Sequence, residues 1–150
     1  MFNNKVLMIT GGTGSFGKKV LKRFLSTNVS EIRIFSRDEN KQEEMRTKYN
    51  NNRLKFYLGD VRDYNSIYQA MKDVNYVFHA AALKQVPSCE FFPIEAVKTN
   101  IIGHKNLIEC INLCIHKIET LMFISTDKAC KPINVYGMCK AISERLYVDF

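Results

Sequence analysis

The stretch Lys5-Val6-Leu7-Met8-Ile9-Thr10-Gly11-Gly12-Thr13-Gly14-Ser15-Phe16-Gly17 decides how the chain folds. Residues 6–9 are an apolar run typical of a fully buried strand, and a glycine cluster follows closely. Residues 15–26 then show the spacing of an amphipathic helix. One face of that helix carries the apolar side chains of Phe16, Val20, Leu21, Phe24 and Leu25. The sequence therefore predicts a strand, a glycine-rich turn and a helix in immediate succession.

A turn of this kind forms a binding site for a diphosphate. The free backbone N–H groups and the dipole at the helix N-terminus favour negative charge, and glycines let the backbone approach the ligand closely. The glycines fit Gly-x-Gly-x-x-Gly from Gly12 and Gly-x-x-Gly-x-x-Gly from Gly11. Glycine clusters also mark ordinary turns and kinase loops, but the position at the first strand-to-helix turn favours a dinucleotide. The predicted contacts are Gly11, Thr13, Gly14, Ser15, Phe16 and Gly17.

Composition is that of a globular protein. With 46% hydrophobic and 25% charged residues, the 150 residues suffice for one domain with a substantial core. The net charge of +7 comes from basic residues scattered among acidic ones, so we expect no nucleic-acid partner. No run approaches the ~18 apolar residues of a membrane helix and nothing resembles a signal peptide. We therefore expect a cytoplasmic protein without a membrane partner.

The cysteines favour neither disulfide bonds nor a metal site. There are five of them, an odd number without paired spacing. Cys110 and Cys114 are four residues apart on a predicted helix, but no second pair or histidine cluster completes a zinc site. The sequence predicts reduced thiols and no bound metal.

Predicted strands and helices alternate along the chain. Strands are predicted over residues 31–35, 54–58, 76–80 and 121–124, and helices over 38–49, 64–72, 93–114 and from 136 to the end. This alternation is typical of the α/β class, here a doubly wound parallel sheet (Rossmann fold) with helices on both faces. No internal boundary divides residues 1–150. Because a final helix should lead to more sheet, we expect the N-terminal part of a longer enzyme.

The residues that follow the second predicted strand indicate which dinucleotide binds. An acidic residue at this point binds the ribose 2′-OH of NAD, whereas a nearby Arg accommodates the 2′-phosphate of NADP. Here Ser36 and Arg37 follow the strand, Lys41 lies one turn on, and Asp38 comes two residues late for the ribose. The Arg37 guanidinium is a planar donor suited to phosphate. The sequence favours NADP, although an ordinary charged helix start would look similar.

Two further strand ends complete the predicted cofactor site. Asp60 and Val61 follow the third strand, where a loop can face the adenine. Ala80, Ala81 and Ala82 follow the fourth strand and let the backbone approach a flat ring. A plain packing role for the three alanines is equally compatible with their composition.

The chemistry is predicted to lie beyond the fifth strand. Ser125-Thr126-Asp127-Lys128 follows it, at the carboxyl edge where open sheets place their sites. Tyr136 and Lys140 come next and lie one turn apart on the same face of a helix. An ammonium beside a phenol favours the phenolate, which can accept a proton from a sugar hydroxyl. Downstream of a glycine-rich turn, this pair predicts an oxidoreduction site.

The whole chain resembles the extended short-chain dehydrogenase/reductase family, from the glycine-rich turn to Tyr136-x-x-x-Lys140. Within that family it is most similar to the UDP-N-acetylglucosamine 4,6-dehydratases that invert C5 and serve polysaccharide biosynthesis. The stretches that carry this closer resemblance are Phe35-Ser36-Arg37-Asp38-Glu39, Ala82-Leu83-Lys84-Gln85-Val86-Pro87 and Ser125-Thr126-Asp127-Lys128-Ala129.

The resemblance implies a reaction and its residues. It implies NADP as cofactor, a UDP-sugar as substrate and a homo-oligomer. It assigns Thr126, Tyr136 and Lys140 to the catalytic triad and adds two residues for dehydration. Asp127, protonated, would assist departure of the C6 hydroxyl, and Lys128 would take the C5 proton. The predicted catalytic and substrate-binding residues are then Thr126, Asp127, Lys128, Tyr136, Lys140, Lys84 and Asn100.

Two departures from the pattern leave other functions open. Close relatives with the Ser-Cys-Glu-Phe-Phe-Pro run of residues 88–93 often carry methionine in place of the tyrosine, whereas this chain has Tyr136. Such enzymes also need a C-terminal substrate domain, which these 150 residues do not contain, so this segment should bind cofactor better than it converts sugar. The alternatives are a UDP-sugar 4-epimerase, which needs neither Asp127 nor Lys128, and a non-catalytic NADP-binding domain.

Overall fold

Strand β1 (Val6–Thr10) lies at the centre of a five-stranded parallel sheet in the computed structural model, which describes residues 2–114 and 117–148. The other strands are β2 (Glu31–Ser36), β3 (Leu54–Leu58), β4 (Tyr76–His79) and β5 (Thr120–Phe123). Their order is β3-β2-β1-β4-β5, so the winding reverses between β1 and β4. Ligands bind in open α/β sheets at such a reversal, beyond the carboxyl ends of the strands. The predicted doubly wound α/β fold is confirmed.

Helices pack on both faces of the sheet. They are α1 (Ser15–Leu25), α2 (Glu39–Tyr49), α3 (Tyr64–Met71), α4 (Val86–Phe91), α5 (Pro93–Val97), α6 (Gly103–Leu113) and α7 (Val135–Val148). The predicted helix over residues 93–114 is divided, since a π-helical turn (Lys98–Ile102) separates α5 from α6. Helix α7 begins one residue before its predicted start, and residues 149–150 of that prediction lie outside the described residues.

The sequence did not predict helix α4. It has only six residues, too few for an apolar period to show, and Pro87 stands in its first turn. Proline is tolerated there because a helix leaves its first N–H groups unpaired in any case. Helix α4 packs against α7 through a small cluster made by Cys89, Tyr136 and Cys139. The unpredicted helix therefore supports the segment that carries Tyr136.

Alternation of side chains along the strands separates two larger cores. Leu7 and Ile9 of β1 pack on the side of α1 and α2, whereas Met8 points to the side of α3 and α6. All three are at most 2% exposed. Burial on both faces explains why β1 is an unbroken apolar run, as expected for a central parallel strand.

Residues 2–114 and 117–148 contain neither a membrane-spanning helix nor a metal-binding cluster. None of the helices in these ranges is both long and apolar enough to cross a membrane. In the same ranges no three His, Cys, Asp or Glu side chains are grouped so that they could hold a metal ion.

Candidate cofactor and catalytic site

The glycine-rich turn is shaped by close backbone contacts. Gly11 has φ +65°, and a Cβ atom there would lie 2.8 Å from the Ala81 backbone nitrogen. Gly17 lies in the first turn of α1 and packs against the glycine-rich turn, so a Cβ there would lie 2.6 Å from the Cα of Gly12. Gly14 is the N-cap of α1 and supplies no side-chain cap. The N–H groups of the first helical turn therefore face a space that an anion can enter.

A cleft of about 440 Å³ lies in front of this turn, and a smaller cavity of about 130 Å³ adjoins it. Asp60 and Val61 line the smaller cavity. The structure brings the other predicted cofactor residues together around the cleft: Gly11, Thr13, Gly14, Ser15, Phe16, Gly17, Ser36, Arg37, Lys41, Ala80, Ala81, Ala82, Tyr136 and Lys140. Their role in binding a cofactor stays a prediction.

At the end of β2, Ser36 and Arg37 differ in environment. Ser36 is buried, and its hydroxyl lies 2.8 Å from the hydroxyl of Thr13, which fastens the strand end to the glycine-rich turn. The Arg37 side chain is 58% exposed and approaches Asp60 at 3.6 Å. Asp38 caps α2 and accepts hydrogen bonds from the Lys41 side chain and backbone, which hold the pKa of Asp38 below its usual range. Arg37 is thus the better placed cation for a phosphate.

Tyr136 and Lys140 lie one turn apart on α7 and both line the cleft. Tyr136 is 9% exposed and Lys140 only 3%. The Lys140 ammonium donates to the carbonyl oxygen of Ile124 at 2.7 Å. Burial lowers the pKa of Lys140 to about 8, and the nearby Glu144 carboxylate opposes that shift. At neutral pH the site therefore holds a buried positive charge one helical turn from the buried Tyr136 side chain.

Thr126, Asp127 and Lys128 lie outside the cleft lining, at a short 3₁₀ turn (Asp127–Ala129) after β5. The Thr126 hydroxyl donates to Asp127 at 3.0 Å and the Lys128 ammonium does so at 3.4 Å. These two bonds lower the pKa of Asp127, whose side chain is 87% exposed. A Cβ at Gly137 would overlap the carbonyl oxygen of Lys128, so α7 and this turn are in close contact.

The two predicted substrate residues have different environments. Lys84 is exposed and lines the cleft. Asn100 is fully buried, and its amide pairs with the backbone of Leu83, accepting from N–H at 2.8 Å and donating to C=O at 2.7 Å. This pairing holds the segment that carries Lys84. Contact of Asn100 with substrate stays a prediction.

Three residues around helix α7 were not predicted from the sequence. Ile124 supplies the carbonyl that accepts from Lys140, and Phe123 places its ring centre 4.5 Å from the same ammonium. The Glu90 carboxylate accepts from the backbone N–H of Val135 at 2.8 Å, which caps the start of α7. These contacts join residues far apart in sequence, and no local pattern indicates them.

Burial of Lys140 should make stability depend on pH. The pKa is about 8 in the folded protein and near 10.5 without burial, so the unfolded chain binds more protons between these values. Stability due to Lys140 therefore rises with pH from 8 to 10.5. We expect Lys140→Met to be more stable than the wild type at pH 7 and this advantage to shrink over that interval in urea titrations. A constant advantage, or the same trend in the exposed Lys55→Met, would contradict the expectation.

Known proteins resemble this chain in sequence and in fold. UDP-glucose 4-epimerases of Rickettsia bellii (strain OSU 85-389) and Rickettsia prowazekii (strain Madrid E) are each 58% identical over 99% of the chain, which spans 44% of their length. Pen from Bacillus thuringiensis has a TM-score of 0.94 at 37% identity over 99% of the chain and 45% of its own. The dTDP-glucose 4,6-dehydratase DesIV of Streptomyces venezuelae, at 20% identity over 94% of the chain and 50% of its own, shares the fold with a TM-score of 0.83.

A family model supplies the assignment. The model described as "Polysaccharide biosynthesis protein" matches residues 7–150, from β1 through the whole of α7. The match thus includes the glycine-rich turn as well as Tyr136 and Lys140. The chain belongs to the polysaccharide biosynthesis protein family.

Proposed function

We propose that this chain is the cofactor-binding and catalytic part of an enzyme that transiently oxidises a UDP-sugar at C4. The observation that carries the proposal is the buried Tyr136–Lys140 pair, which shares one cleft with the glycine-rich turn. UDP-sugar is the substrate class because curated relatives 58% identical to the chain are named UDP-glucose 4-epimerase. The remaining length of those relatives would supply the sugar site, and we call an enzyme of that length containing this chain the extended enzyme.

The residues fit a nicotinamide dinucleotide. Gly11 and Gly17 leave no room for a Cβ, and the uncapped start of α1 faces the cleft. When bound, this cofactor would accept a hydride from C4. Tyr136, as the phenolate that the Lys140 ammonium stabilises, would take the proton of the C4 hydroxyl and become a neutral phenol.

A 4-epimerase is the function that these observations support best. After oxidation at C4, an epimerase only has to return hydride to the opposite face of the sugar, and Tyr136 returns the proton. It makes no demand on Asp127 or Lys128. In the structure Asp127 is exposed and its pKa is lowered, whereas a dehydratase needs a protonated acid at C6. The names of the Rickettsia relatives support the same choice.

The UDP-N-acetylglucosamine 4,6-dehydratase remains a second candidate, favoured by one observation. Asp127 and Lys128 are adjacent and 3.4 Å apart, so an acid for C6 and a base for C5 could reach neighbouring carbons of one sugar. For this role Lys128 must be neutral part of the time, and Asp127 must be protonated when substrate covers it. A sugar domain closing over the turn would provide such an environment, since burial disfavours both charges.

Substitution of Lys128 separates the two functions. We expect Lys128→Ala in the extended enzyme to keep turnover within about twofold, as for an exposed side chain outside the reaction. The measurement follows UDP-glucose and UDP-N-acetylglucosamine by mass in deuterated water. An epimerase product keeps its mass and gains no deuterium at C5. Loss of one water by the wild type, together with C5 exchange that Lys128→Ala abolishes, would instead identify the inverting dehydratase.

We further propose that the cofactor is NADP, held at its 2′-phosphate by Arg37. Arg37→Ala should weaken NADP binding by about 1.5–3 kcal/mol, the usual value of a hydrogen bond to a charged group, and should leave NAD binding unchanged. Calorimetric titration of the chain with both dinucleotides measures this, and Arg46→Ala, which removes an exposed arginine of α2, is the control. Equal affinity of the wild type for NAD and NADP would contradict the assignment.

A further inference from the structure

The Lys140 ammonium lies against an aromatic ring. Its nitrogen is 4.5 Å from the ring centre of Phe123 and 2.7 Å from the carbonyl oxygen of Ile124. Lys140 is 3% exposed, so little water can replace these contacts. A cation over the face of an aromatic ring is attracted by the ring quadrupole, and most strongly where water is excluded.

The ring of Phe123 is itself held in place. Tyr147 stacks on it at 4.7 Å with an interplanar angle of 16°, and His104 packs edge-on at 4.9 Å. On the sheet, Phe123 of β5 is the register partner of His79 of β4, and the His79 and His104 rings are 4.3 Å apart. Four side chains from β4, β5, α6 and α7 therefore form one aromatic layer beneath Lys140.

The charges around Lys140 are few. Burial lowers the pKa of His79 to about 3 and also lowers that of His104, so both imidazoles are neutral at physiological pH. Glu144, one turn further along α7, is the carboxylate that favours the charged lysine. Tyr136 lies one turn before Lys140 on the same helix. Beneath the ammonium, the layer thus offers a π-face and neutral rings in place of a counter-ion.

We propose that Phe123 is a positioning residue, whose π-face, fixed by Tyr147 and His104, stabilises the Lys140 ammonium beside Tyr136. The contact is a property of the folded chain alone. Its consequence for turnover rests on the proposed function, because only there does Lys140 stabilise a phenolate.

The test is the pKa of Lys140 in a graded series of rings. The chain is labelled with ¹³Cε-lysine, and the Lys140 signal is identified by its absence in Lys140→Met. Phe123 is replaced by 4-fluoro- and then 3,4,5-trifluorophenylalanine, which keep the shape of the ring while weakening its quadrupole. We expect the pKa of Lys140 to fall stepwise, with a total fall of about 0.5–1.5 units in the trifluoro ring and in Phe123→Leu.

Two controls separate ring electrostatics from packing. Phe123→Tyr keeps the π-face and should leave the pKa of Lys140 within about 0.3 units of the wild type. Met122→Leu changes the neighbouring, exposed position of β5 and should have no effect. The fluorinated series decides the matter if Phe123→Leu does not fold. A pKa that is constant across that series, or an equal fall in Met122→Leu, would overturn the proposal.

Activity of the extended enzyme distinguishes this proposal from the proposed function. With less ammonium present, the trifluoro variant should lose more kcat at pH 8 than at about pH 5.5, where most of Lys140 is protonated in both forms. If the pKa falls and the pH profile of kcat does not move, Phe123 still positions Lys140, and the role of Lys140 in the reaction is wrong. The pKa of Lys140 is measured by NMR on the chain, whereas the pH profile of kcat is measured by kinetics on the extended enzyme.

Discussion

Replacing Tyr136 by phenylalanine is expected to lower turnover of the extended enzyme at least ~100-fold, the low end for loss of a general base. The ring would keep its packing against Cys89 and Cys139, so the fold and the affinity for the dinucleotide should be retained. Steady-state kinetics measures the loss, and titration of the chain with cofactor shows whether binding survives. A fall in kcat and kcat/KM together would indicate an interaction made in the transition state.

Tyr147 provides the matched control for this prediction. It lies on the same helix and its hydroxyl has no hydrogen-bond partner among the described residues. Tyr147→Phe removes the same atom and keeps the ring that stacks on Phe123. We expect nearly wild-type turnover from this variant. Undiminished turnover in Tyr136→Phe would place the base at another residue and would remove the main support for the proposed function.

Gly137→Ala is expected to have the largest effect on stability. Its Cβ would overlap the carbonyl oxygen of Lys128, a backbone atom that cannot turn aside as a side chain can. Overpacking costs typically about 1–3 kcal/mol, and each kcal/mol lowers Tm by roughly 2–4 °C in a chain of this size. We expect a loss of stability in the upper part of the range of about 1–3 kcal/mol, and calorimetry measures the corresponding fall in Tm. Turnover should fall too, because α7 carries Tyr136 and Lys140.

Met138→Ala is the control for Gly137→Ala, since Met138 is the next residue of α7 and is 47% exposed. Its Tm should stay within the small range of surface substitutions. If Gly137→Ala melts at the wild-type temperature, α7 and the turn after β5 can separate without cost. Asp127 and Lys128 would then not be fixed relative to Tyr136.

Strands and long helices could be predicted from the sequence because their signals are local. The apolar run of β1 and the helical spacing of α1 each occupy one segment, and the structure has both as expected. The prediction was wrong over residues 93–114, where a π-helical turn separates two helices. Ser143 of α7 donates to the carbonyl oxygen of Asn100 within that turn, a partner that no local period reveals.

The candidate site divides in the same way. By itself the sequence determined the glycine-rich turn and the Tyr136–Lys140 spacing, because a turn and one helical repeat depend on neighbouring residues alone. Only the tertiary structure decided that Asn100 pairs with Leu83 and that Lys140 lies on Phe123. The two residues of each pair are 17 positions apart in the sequence and lie in different segments of the fold. Burial, which sets the charge state of Lys140, likewise exists only once strands and helices have packed together.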